Sequence, residues 1–513
     1  MFAKICSASV YGIDAYLVEV EVDLSLGLRS FVIVGLPDNA VKEAQHRVIT
    51  AIKNSGFKIP TRRITVNLAP ADIKKEGAVF DLPIAVGLLK ALGTFSSNIL
   101  ERFLLVGELS LDGSLKPVKG TISMAMATRQ YKFSGIIVPK ENAQEGALVK
   151  GVNVYPAEHL LEVIQFLSGA RSIEPTTINI EEIFNSASEA SVDFSEVKGQ
   201  EHAKRALEVA VAGGHNILMI GPPGTGKTML ARRLGTILPK MELEEALEAT
   251  KIHSVAGTLP TNYPIMAIRP FRAPHHSISE AGLIGGGAYP KPGEVSLAHN
   301  GVLFLDELPE FHRDVLEALR QPLEDGFVTI GRAKQTITYP ARFMLAASMN
   351  PCPCGYFSDP HRECSCTIGM IKKYRARISG PLLDRIDVHI EVPSMRYETL
   401  SQKAPGESSE VIRNRVNRAR AIQLARFKDF RKPHPIYCNS QMGSKELRLF
   451  CEIDEISERL LKSAIERFGF SARSYDRILK VARTIADLEE SSKIKPEHIS
   501  EAIQYRNFDR SLI

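Results

Sequence analysis

The sequence contains no run of about 18 apolar residues, the length that a helix needs to span a membrane. Its first residues, MFAKICSASVYGIDAYLVEVEVD, carry acidic side chains where a secretory signal would need a continuous apolar stretch. Internal repeats and low-complexity tracts are also absent. With 44% hydrophobic and 24% charged residues, the composition is that of ordinary folded domains. We therefore expect a cytoplasmic protein without a membrane partner.

The sequence also lacks a strong excess of one charge, because 64 Lys and Arg oppose 59 Asp and Glu, for a formal net charge of +5. Such a surplus permits nucleic-acid binding but does not indicate it. The seven cysteines do not show the scattered pattern of a disulfide framework. Four of them lie close together, and this favours a metal site over disulfides. They are Cys352, Cys354, Cys364 and Cys366.

A length of 513 residues predicts two or three domains. Residues 1–170 alternate β-rich and helical stretches, which indicates a first α/β domain. Residues 171–192 are rich in Ser, Thr and Glu and are typical of a linker. Residues 193–400 read as a parallel nucleotide-binding sheet, and residues 401–513 as a small helical lid. The predicted fold class is α/β.

A glycine-rich loop with the sequence GPPGTGKT follows the apolar run ILMI. This is the Walker A pattern, with a predicted strand before it and a helix after it. Small residues let backbone N–H groups surround phosphates, the lysine holds the β and γ phosphates, and the hydroxyl binds Mg²⁺. The motif predicts an ATP site formed by Gly221, Pro222, Pro223, Gly224, Thr225, Gly226, Lys227 and Thr228.

Two carboxylates end the apolar run VLFLDE. We expect Asp306 to hold Mg²⁺ together with Thr228, and Glu307 to orient the attacking water as a base. Adjacent carboxylates at a strand end can also be a solvated cap without a catalytic role. Together with the glycine-rich loop, the pair predicts hydrolysis of ATP and not binding alone.

Five segments in order resemble the ComM/YifB family of magnesium-chelatase-like AAA+ ATPases: GPPGTGKT, RPFRAPHHSIS, GEVSLAHNGVLFLDELPEF, ASMNPCPCG and ISGPLLDRIDVHIEV. The resemblance covers nearly the whole chain. It implies that Asn350 is the sensor 1 residue, Arg385 the arginine finger and Arg473 the sensor 2 residue. It also implies a homo-hexameric ring, because an arginine finger acts on the nucleotide of a neighbouring subunit.

Physical chemistry supports these roles. A buried-strand amide can position water against the γ phosphate, and a guanidinium from a neighbour can stabilise charge on the transferring phosphoryl group. The acids Asp384 and Asp387 beside Arg385 leave an intrachain ion pair as the alternative for that arginine.

Two cationic segments are candidates for DNA contact. The stretch GFVTIGRAKQTITYP reads as a β-hairpin with Arg332 and Lys334 at its tip. In related helicases and chelatases a hairpin at this position points into the pore, so the resemblance implies contact with DNA phosphates. The lid stretch RNRVNRARAIQLARFKDFRKPH is also basic. A solvated turn and a solvated helix face are the respective alternatives.

The cysteine cluster, in CPCGYFSDPHRECSC, has enough thiolates for a tetrahedral Zn²⁺ site. Its Cys-x-Cys spacing is tighter than that of most zinc sites. The alternative is a set of reduced cysteines in an irregular loop. Because the cluster follows Asn350, zinc here would be structural and would brace the sensor loop.

The first domain resembles the Lon-protease fold through KKEGAVFDLPIAVGLL, VGELSLDGSLKPVKGT and GIIVPKEN. A Lon-type site needs a serine activated by a lysine. Where the serine is expected, residues 77–81 read GAVFD, and Lys119 is offset from the position of the lysine. We therefore expect this domain to be an inactive collar or docking surface.

The resemblance implies an ATP-driven DNA motor of the helicase or branch-migration type, acting in recombination and natural transformation. Its partners would be single-stranded or branched DNA and recombination proteins. Three alternatives remain open at this point: a chelatase-like ATPase that remodels protein, a nucleotide-dependent scaffold without translocation, and an ATP-dependent Lon-type peptidase.

Overall fold

The computed structural model describes residues 1–28, 30–186, 192–260, 263–287, 290–332, 335–357, 359–394, 406–430 and 435–506. Within these ranges no helix is long and apolar enough to cross a membrane. Contacts divide the chain into two compact units. The first unit contains residues 1–186 and 246–267, and the second contains residues 187–245 and 268–513.

Two main sheets form the first unit. One has the strand order β1-β2-β4-β3, with β1–β2 and β2–β4 antiparallel and β3–β4 parallel. The other has the order β5-β8-β9 and is parallel. The strands are β1 Phe2–Tyr11, β2 Asp14–Ser25, β3 Ser30–Val34, β4 Arg63–Ala69, β5 Phe103–Leu105, β6 Glu108–Leu109, β7 Leu115–Lys116, β8 Gly135–Pro139 and β9 Asn153–Ala157.

The helices of the first unit follow the apolar pattern of the sequence. Alternation along β2 buries Val18, Val20, Val22 and Leu24 on one face of the sheet. The helix Asp81–Ala91, which is apolar between Asp81 and Lys90, is almost wholly buried against this sheet. The helices are Asn39–Asn54, Asp81–Ala91, Thr121–Gln130, Ala143–Ala147, Leu160–Leu167 and Ile180–Ser186.

Residues 246–267 also belong to the first unit, a placement that linear domain boundaries do not anticipate. Most of the helix Leu243–Ala256 lies in this segment. The hydroxyl of Ser254 accepts a hydrogen bond from the Gly120 N–H at 2.9 Å and donates to Glu145 at 2.5 Å. A polar contact therefore secures the segment within the first unit.

The second unit is built on a five-stranded parallel sheet with the order β11-β14-β17-β10-β18. Strands of such sheets are buried on both faces, and β10, β14 and β17 are apolar and fully buried as this requires. The strands of this unit are β10 Ile217–Ile220, β11 Phe271–Arg272, β12 Gly285–Gly286, β13 Lys291–Pro292, β14 Val302–Leu305, β15 Phe327–Arg332, β16 Gln335–Pro340, β17 Met344–Met349 and β18 Val388–Glu391.

Helices surround this sheet and continue into the lid. The helices that lie wholly in the second unit are Glu201–Gly213, Lys227–Ile237, Glu280–Ile284, Glu294–Leu297, Arg313–Ala318, Arg320–Asp325, Ile368–Arg375, Gly380–Leu383, Ser409–Arg426, Ser444–Phe450, Glu455–Phe468, Ala472–Leu488 and Pro496–Gln504. The helix Ala472–Leu488 begins after Ser471, whose hydroxyl accepts the Ser474 N–H at 3.2 Å. Its apolar face, including Ile478 and Ile485, is buried in the core of this unit. The predicted α/β fold class, with helices at the C-terminal end, is confirmed.

Candidate ATPase site

The glycine-rich loop joins β10 to the helix Lys227–Ile237. Gly224 and Gly226 have φ angles of +80° and +89°, a region that favours glycine. A Cβ on Gly221 would lie 2.2 Å from the carbonyl oxygen of Val392, so backbone packing leaves no room for a side chain there. Thr225 stabilises the loop by donating from Oγ1 to the carbonyl of Pro222 at 3.0 Å. The loop is thus shaped to present N–H groups to phosphates.

Lys227 is buried, and its Nζ donates to the carbonyls of Gly221 at 2.7 Å and Pro222 at 2.8 Å. It also donates to Oδ1 of Asn350 at 3.2 Å. Burial lowers the pKa of Lys227 to about 8, while the carboxylates of Asp306 and Glu307 act in the opposite direction. The amide predicted as sensor 1 and the phosphate-binding lysine are therefore neighbours.

The proposed magnesium ligands are in direct contact. Oγ1 of Thr228 donates to Oδ2 of Asp306 at 2.7 Å. Ser348, on β17, donates to the other carboxylate oxygen of Asp306. A hydroxyl and a carboxylate are the hard oxygen ligands that Mg²⁺ prefers, so this pair fits the ion.

Glu307 has an unusual backbone for a non-glycine residue, with φ +55°. Its N–H donates to Oδ1 of Asp306 at 3.1 Å and to Oγ of Ser348 at 3.4 Å. Its carboxylate is 57% exposed and lies 3.7 Å from Nδ1 of His276. The turn thus directs the carboxylate of Glu307 away from Asp306 and into solvent, where a water can reach it.

Sequence reasoning missed Ser348 and His276 as members of this site. Strand register pairs Leu305 with Ala347, so Ser348 lies beside Asp306 at the carboxyl edge of the sheet. The only signal for Ser348 was a hydroxyl within the apolar run MLAASM. For His276 the sequence carries no such signal, because the contact joins segments about thirty residues apart.

Arg385 and Arg473 both pair with Glu324, at a place that the glycine-rich loop does not line. Arg385 pairs with Glu324 and donates to the carbonyl of Pro381 at 2.7 Å. Arg473 lies 3.6 Å from the other oxygen of Glu324. Both arginines line a cavity of about 490 Å³ whose wall contains none of residues 221–228. Of the site residues predicted above, these two therefore form a second cluster within the same unit.

The predicted hairpin is present as β15 and β16, in antiparallel register with Arg332 opposite Gln335. Lys334 lies outside the described residues, and of Arg332 only the backbone is described. The DNA contacts of these two residues therefore stay a prediction.

The basic lid stretch is not a continuous free cationic face. Arg415 pairs with Glu208 and Glu407, both at 2.5 Å, and Arg418 pairs with Glu490 at 3.1 Å. Arg426 pairs with Asp487, and Arg420 is buried, donating to backbone carbonyls at the end of the helix Glu201–Gly213. These side chains stabilise the fold. Arg431 and Lys432 lie outside the described residues.

The four clustered cysteines converge. All four sulfurs lie within 4.8 Å of one another, and Cys352 lies 3.3 Å from Cys354 and 3.7 Å from Cys364. Four sulfurs held tetrahedrally about 2.3 Å from one Zn²⁺ would be about 3.8 Å apart. The residues present therefore fit a zinc ion.

The region of the Lon-type serine contains no hydroxyl. Val79 and Phe80 are buried, and the carboxylate of Asp81 accepts from Nε of Arg47 at 2.7 Å. Burial raises the pKa of Asp81 to about 6, although the ion pair with Arg47 opposes this. The position thus holds a buried ion pair and packing residues.

Three parts of the chain match family models described as magnesium chelatase. Residues 193–400 match the profile described as magnesium chelatase, subunit ChlI. Residues 20–142 match the profile of subunit ChlI of Mg-chelatase, and residues 406–506 match that of the C-terminal part of the same subunit. Family similarity therefore extends through both units.

Two of the relatives match over nearly the full length of the chain. The chain is 46% identical to the competence protein ComM of Haemophilus influenzae, over 99% of this chain and 98% of that protein. It is also 46% identical to the protein YifB of Escherichia coli, over 98% of this chain and 96% of that protein. Lon protease 2 of Bacillus subtilis is 32% identical over 27% of this chain and 26% of that protein. The chain belongs to the ComM/YifB family of magnesium-chelatase-like AAA+ proteins.

Proposed function

We propose that this protein is an ATP-hydrolysing, ring-forming motor that moves DNA, of the helicase or branch-migration type, in recombination and natural transformation. The observation that carries the proposal is the division of the ATPase residues into two clusters. One cluster holds the phosphate loop, the Thr228–Asp306 pair and Glu307. The other holds Arg385 and Arg473 on Glu324.

The first cluster would bind ATP and activate water. Backbone N–H groups of the loop surround the phosphates, and Lys227 holds the β and γ phosphates. Thr228 and Asp306 would hold Mg²⁺, which neutralises charge developing on the phosphates. Glu307 would accept a proton from the attacking water, and Asn350, which is in contact with Lys227, would lie near the γ phosphate.

The second cluster would complete the site of a neighbouring subunit. Arg385 and Arg473 face a cavity to which residues 221–228 of the same unit do not contribute. A nucleotide bound to a second copy would displace Glu324 from both guanidinium groups. Its phosphates would then pair with the two arginines. In a homo-hexamer, which the family resemblance implies, every nucleotide site would have a neighbouring subunit that supplies these two arginines.

DNA as the substrate is supported by the β15–β16 hairpin and by the name of one relative. That relative, at 46% identity, is described as a competence protein. The hairpin tip carries Arg332 and Lys334 in the sequence, and such a tip in a pore would contact phosphates without reading bases.

A chelatase-like ATPase that remodels protein is the second candidate, favoured by the three magnesium-chelatase profiles. ATP hydrolysis by the purified protein, with and without single-stranded or branched DNA at two salt concentrations, separates the two functions. Strong, salt-sensitive stimulation by DNA supports the motor and justifies a branch-migration assay. Turnover that is indifferent to DNA would favour protein remodelling.

The hairpin gives a specific prediction. Replacing Arg332 and Lys334 together with alanine should weaken stimulation by DNA and flatten its salt dependence. On single-stranded DNA, the slope of log affinity against log salt should fall by about 0.7 for each phosphate that the variant no longer neutralises. Fluorescence titrations with labelled DNA at several salt concentrations measure this slope.

The matched control for the hairpin replaces Arg459 and Lys462 with alanine, two exposed cations of the helix Glu455–Phe468. This double variant should bind DNA like the unaltered protein. If the hairpin variant gives the same titrations as this control, the hairpin has no part in DNA binding.

We also propose that the four clustered cysteines bind one structural zinc ion. Purified protein should contain about one zinc per chain by elemental analysis, and Cys364→Ser should remove it and lower the thermal unfolding midpoint. Cys6→Ser, at a cysteine of the first unit, is the control and should retain zinc. Protein purified without chelators that holds no zinc would exclude this site.

A further inference from the structure

The loop that carries Arg385 is attached to the rest of the unit by a buried polar cluster. The carboxylate of Asp387 is almost fully buried and pairs with Nη1 of Arg477. It also accepts the backbone N–H of Asn216 at 3.0 Å and lies 3.6 Å from Nδ1 of His215. Burial alone would raise the pKa of Asp387, but Arg477 and His215 outweigh it and hold that pKa well below its usual range.

Two of the same side chains fix the backbone of Arg385 itself. Its carbonyl oxygen accepts from Nδ2 of Asn216 at 2.8 Å and from Nη1 of Arg477 at 3.0 Å. The N–H groups of Asp387 and Val388 both donate to the carbonyl of Asn216 at 3.0 Å. The guanidinium of Arg385 is held differently, by Glu324 and the carbonyl of Pro381. It can therefore leave Glu324 while its backbone stays in place.

This cluster joins β10, which leads into the glycine-rich loop, to the helix Ala472–Leu488, which carries Arg473. Asn216 immediately precedes β10, and the glycine-rich loop immediately follows that strand, about 17 Å away along the chain. Arg477 lies one turn after Arg473 on the helix Ala472–Leu488, so both arginines share a helix face. The backbone of Arg385 is thus fastened to the far end of the ATP-binding strand and to the helix that carries Arg473.

We propose that Arg477, acting with Asp387 and Asn216, is a positioning residue for Arg385. It holds the backbone of Arg385 on β10 and on the helix Ala472–Leu488, so that the guanidinium is offered to a neighbouring subunit in a fixed position. This inference rests on the proposed action of Arg385 in trans. An ion pair that only stabilised the lid would not need to bind the carbonyl of Arg385 as well.

The test variant must not leave a buried charge without its partner. Arg477→Met combined with Asp387→Asn removes both charges of the pair at similar side-chain volume. We expect this double variant to form rings and to bind ATP with unchanged affinity. Its kcat should fall by about 10²-fold, the loss expected for a catalytic group displaced by about 1 Å.

A mixing experiment distinguishes positioning from a general loss of structure. Lys227→Ala subunits cannot use ATP but keep an intact finger and cluster, whereas the double variant keeps an intact phosphate loop. Mixed rings should therefore hydrolyse ATP several-fold faster than the sum of the two proteins assayed alone. Arg459→Ala, at an exposed arginine that pairs with Glu455, is the control and should behave like the unaltered chain.

Three outcomes would overturn the inference. The double variant could hydrolyse ATP at the normal rate. The double variant could also be impaired and gain no activity when mixed with Lys227→Ala, while Arg385→Ala does gain activity in the same mixture. This result would leave the proposed ATPase intact and remove only the positioning role. Failure of that second mixture would overturn action in trans itself. If the double variant does not assemble, Arg477→Lys, which keeps a cation beside Asp387, takes its place in the same mixtures.

Discussion

Arg385→Ala should lower kcat for ATP hydrolysis by about 10³ to 10⁵, the effect of an arginine finger in other nucleotidases. ATP binding should be unchanged, because the cavity that Arg385 lines contains none of residues 221–228. The variant removes a charge from the neighbour's transition state and leaves its own phosphate loop intact. Steady-state hydrolysis and a fluorescent-nucleotide titration on the same preparation measure the two quantities.

Mixing supplies the decisive control for this variant. Rings assembled from Arg385→Ala and Lys227→Ala chains should regain activity, because one chain contributes the loop and the other contributes the finger. If Arg385→Ala alone turns over ATP normally, its pairing with Glu324 is an intrachain ion pair and nothing more.

Glu307→Gln should lower kcat by about 10² to 10⁴, the usual contribution of a general base. The amide has the shape of the carboxylate but cannot accept a proton from water, so ATP should stay bound without being hydrolysed. Thr228 and Asp306 keep their contact in this variant, and Mg²⁺ binding should persist. Single-turnover hydrolysis, compared with the amount of ATP retained on the protein, measures this result.

The control for Glu307→Gln is a second glutamate, three residues after Glu307. Glu310→Gln changes an exposed glutamate that pairs with Arg377 at 2.9 Å, and its turnover should be normal. Unlike Arg385→Ala, Glu307→Gln should gain no activity from mixing with Lys227→Ala. Lys227 and Glu307 act in the site of the same chain, so no site in the mixed ring would contain both. Normal hydrolysis by Glu307→Gln would mean that the carboxylate is a solvated strand cap.

The phosphate loop and the carboxylates after β14 could be found from the sequence because each is a contiguous motif. The loop Gly221–Thr228 directly follows one buried strand, and another buried strand directs Asp306 to the edge of the sheet. The α/β fold class followed from the same apolar runs. The four cysteines were visible as a cluster for the same reason, since all lie in one short segment.

Contacts between distant segments could not be predicted in this way. Ser348 reaches Asp306 because β14 and β17 are neighbours in a particular register. Arg477 reaches Asp387 across 90 positions of sequence, and nothing local to either residue indicates the other. The pairing of Arg415 with Glu208 and of Arg426 with Asp487 could not be predicted from the basic lid stretch, because both acids lie far from it in sequence.

The amino-acid sequence was sufficient for features that are local: a glycine-rich loop, a hydroxyl and a carboxylate that fit Mg²⁺, four clustered cysteines that fit zinc, and the α/β class. The folded chain was needed to show that Arg385 and Arg473 share Glu324, and that Asn216 and Arg477 hold the backbone of Arg385. The physical reason is that a motif encodes its own backbone conformation. The partners of a long side chain are set by strand order, register and helix packing, which depend on the whole fold.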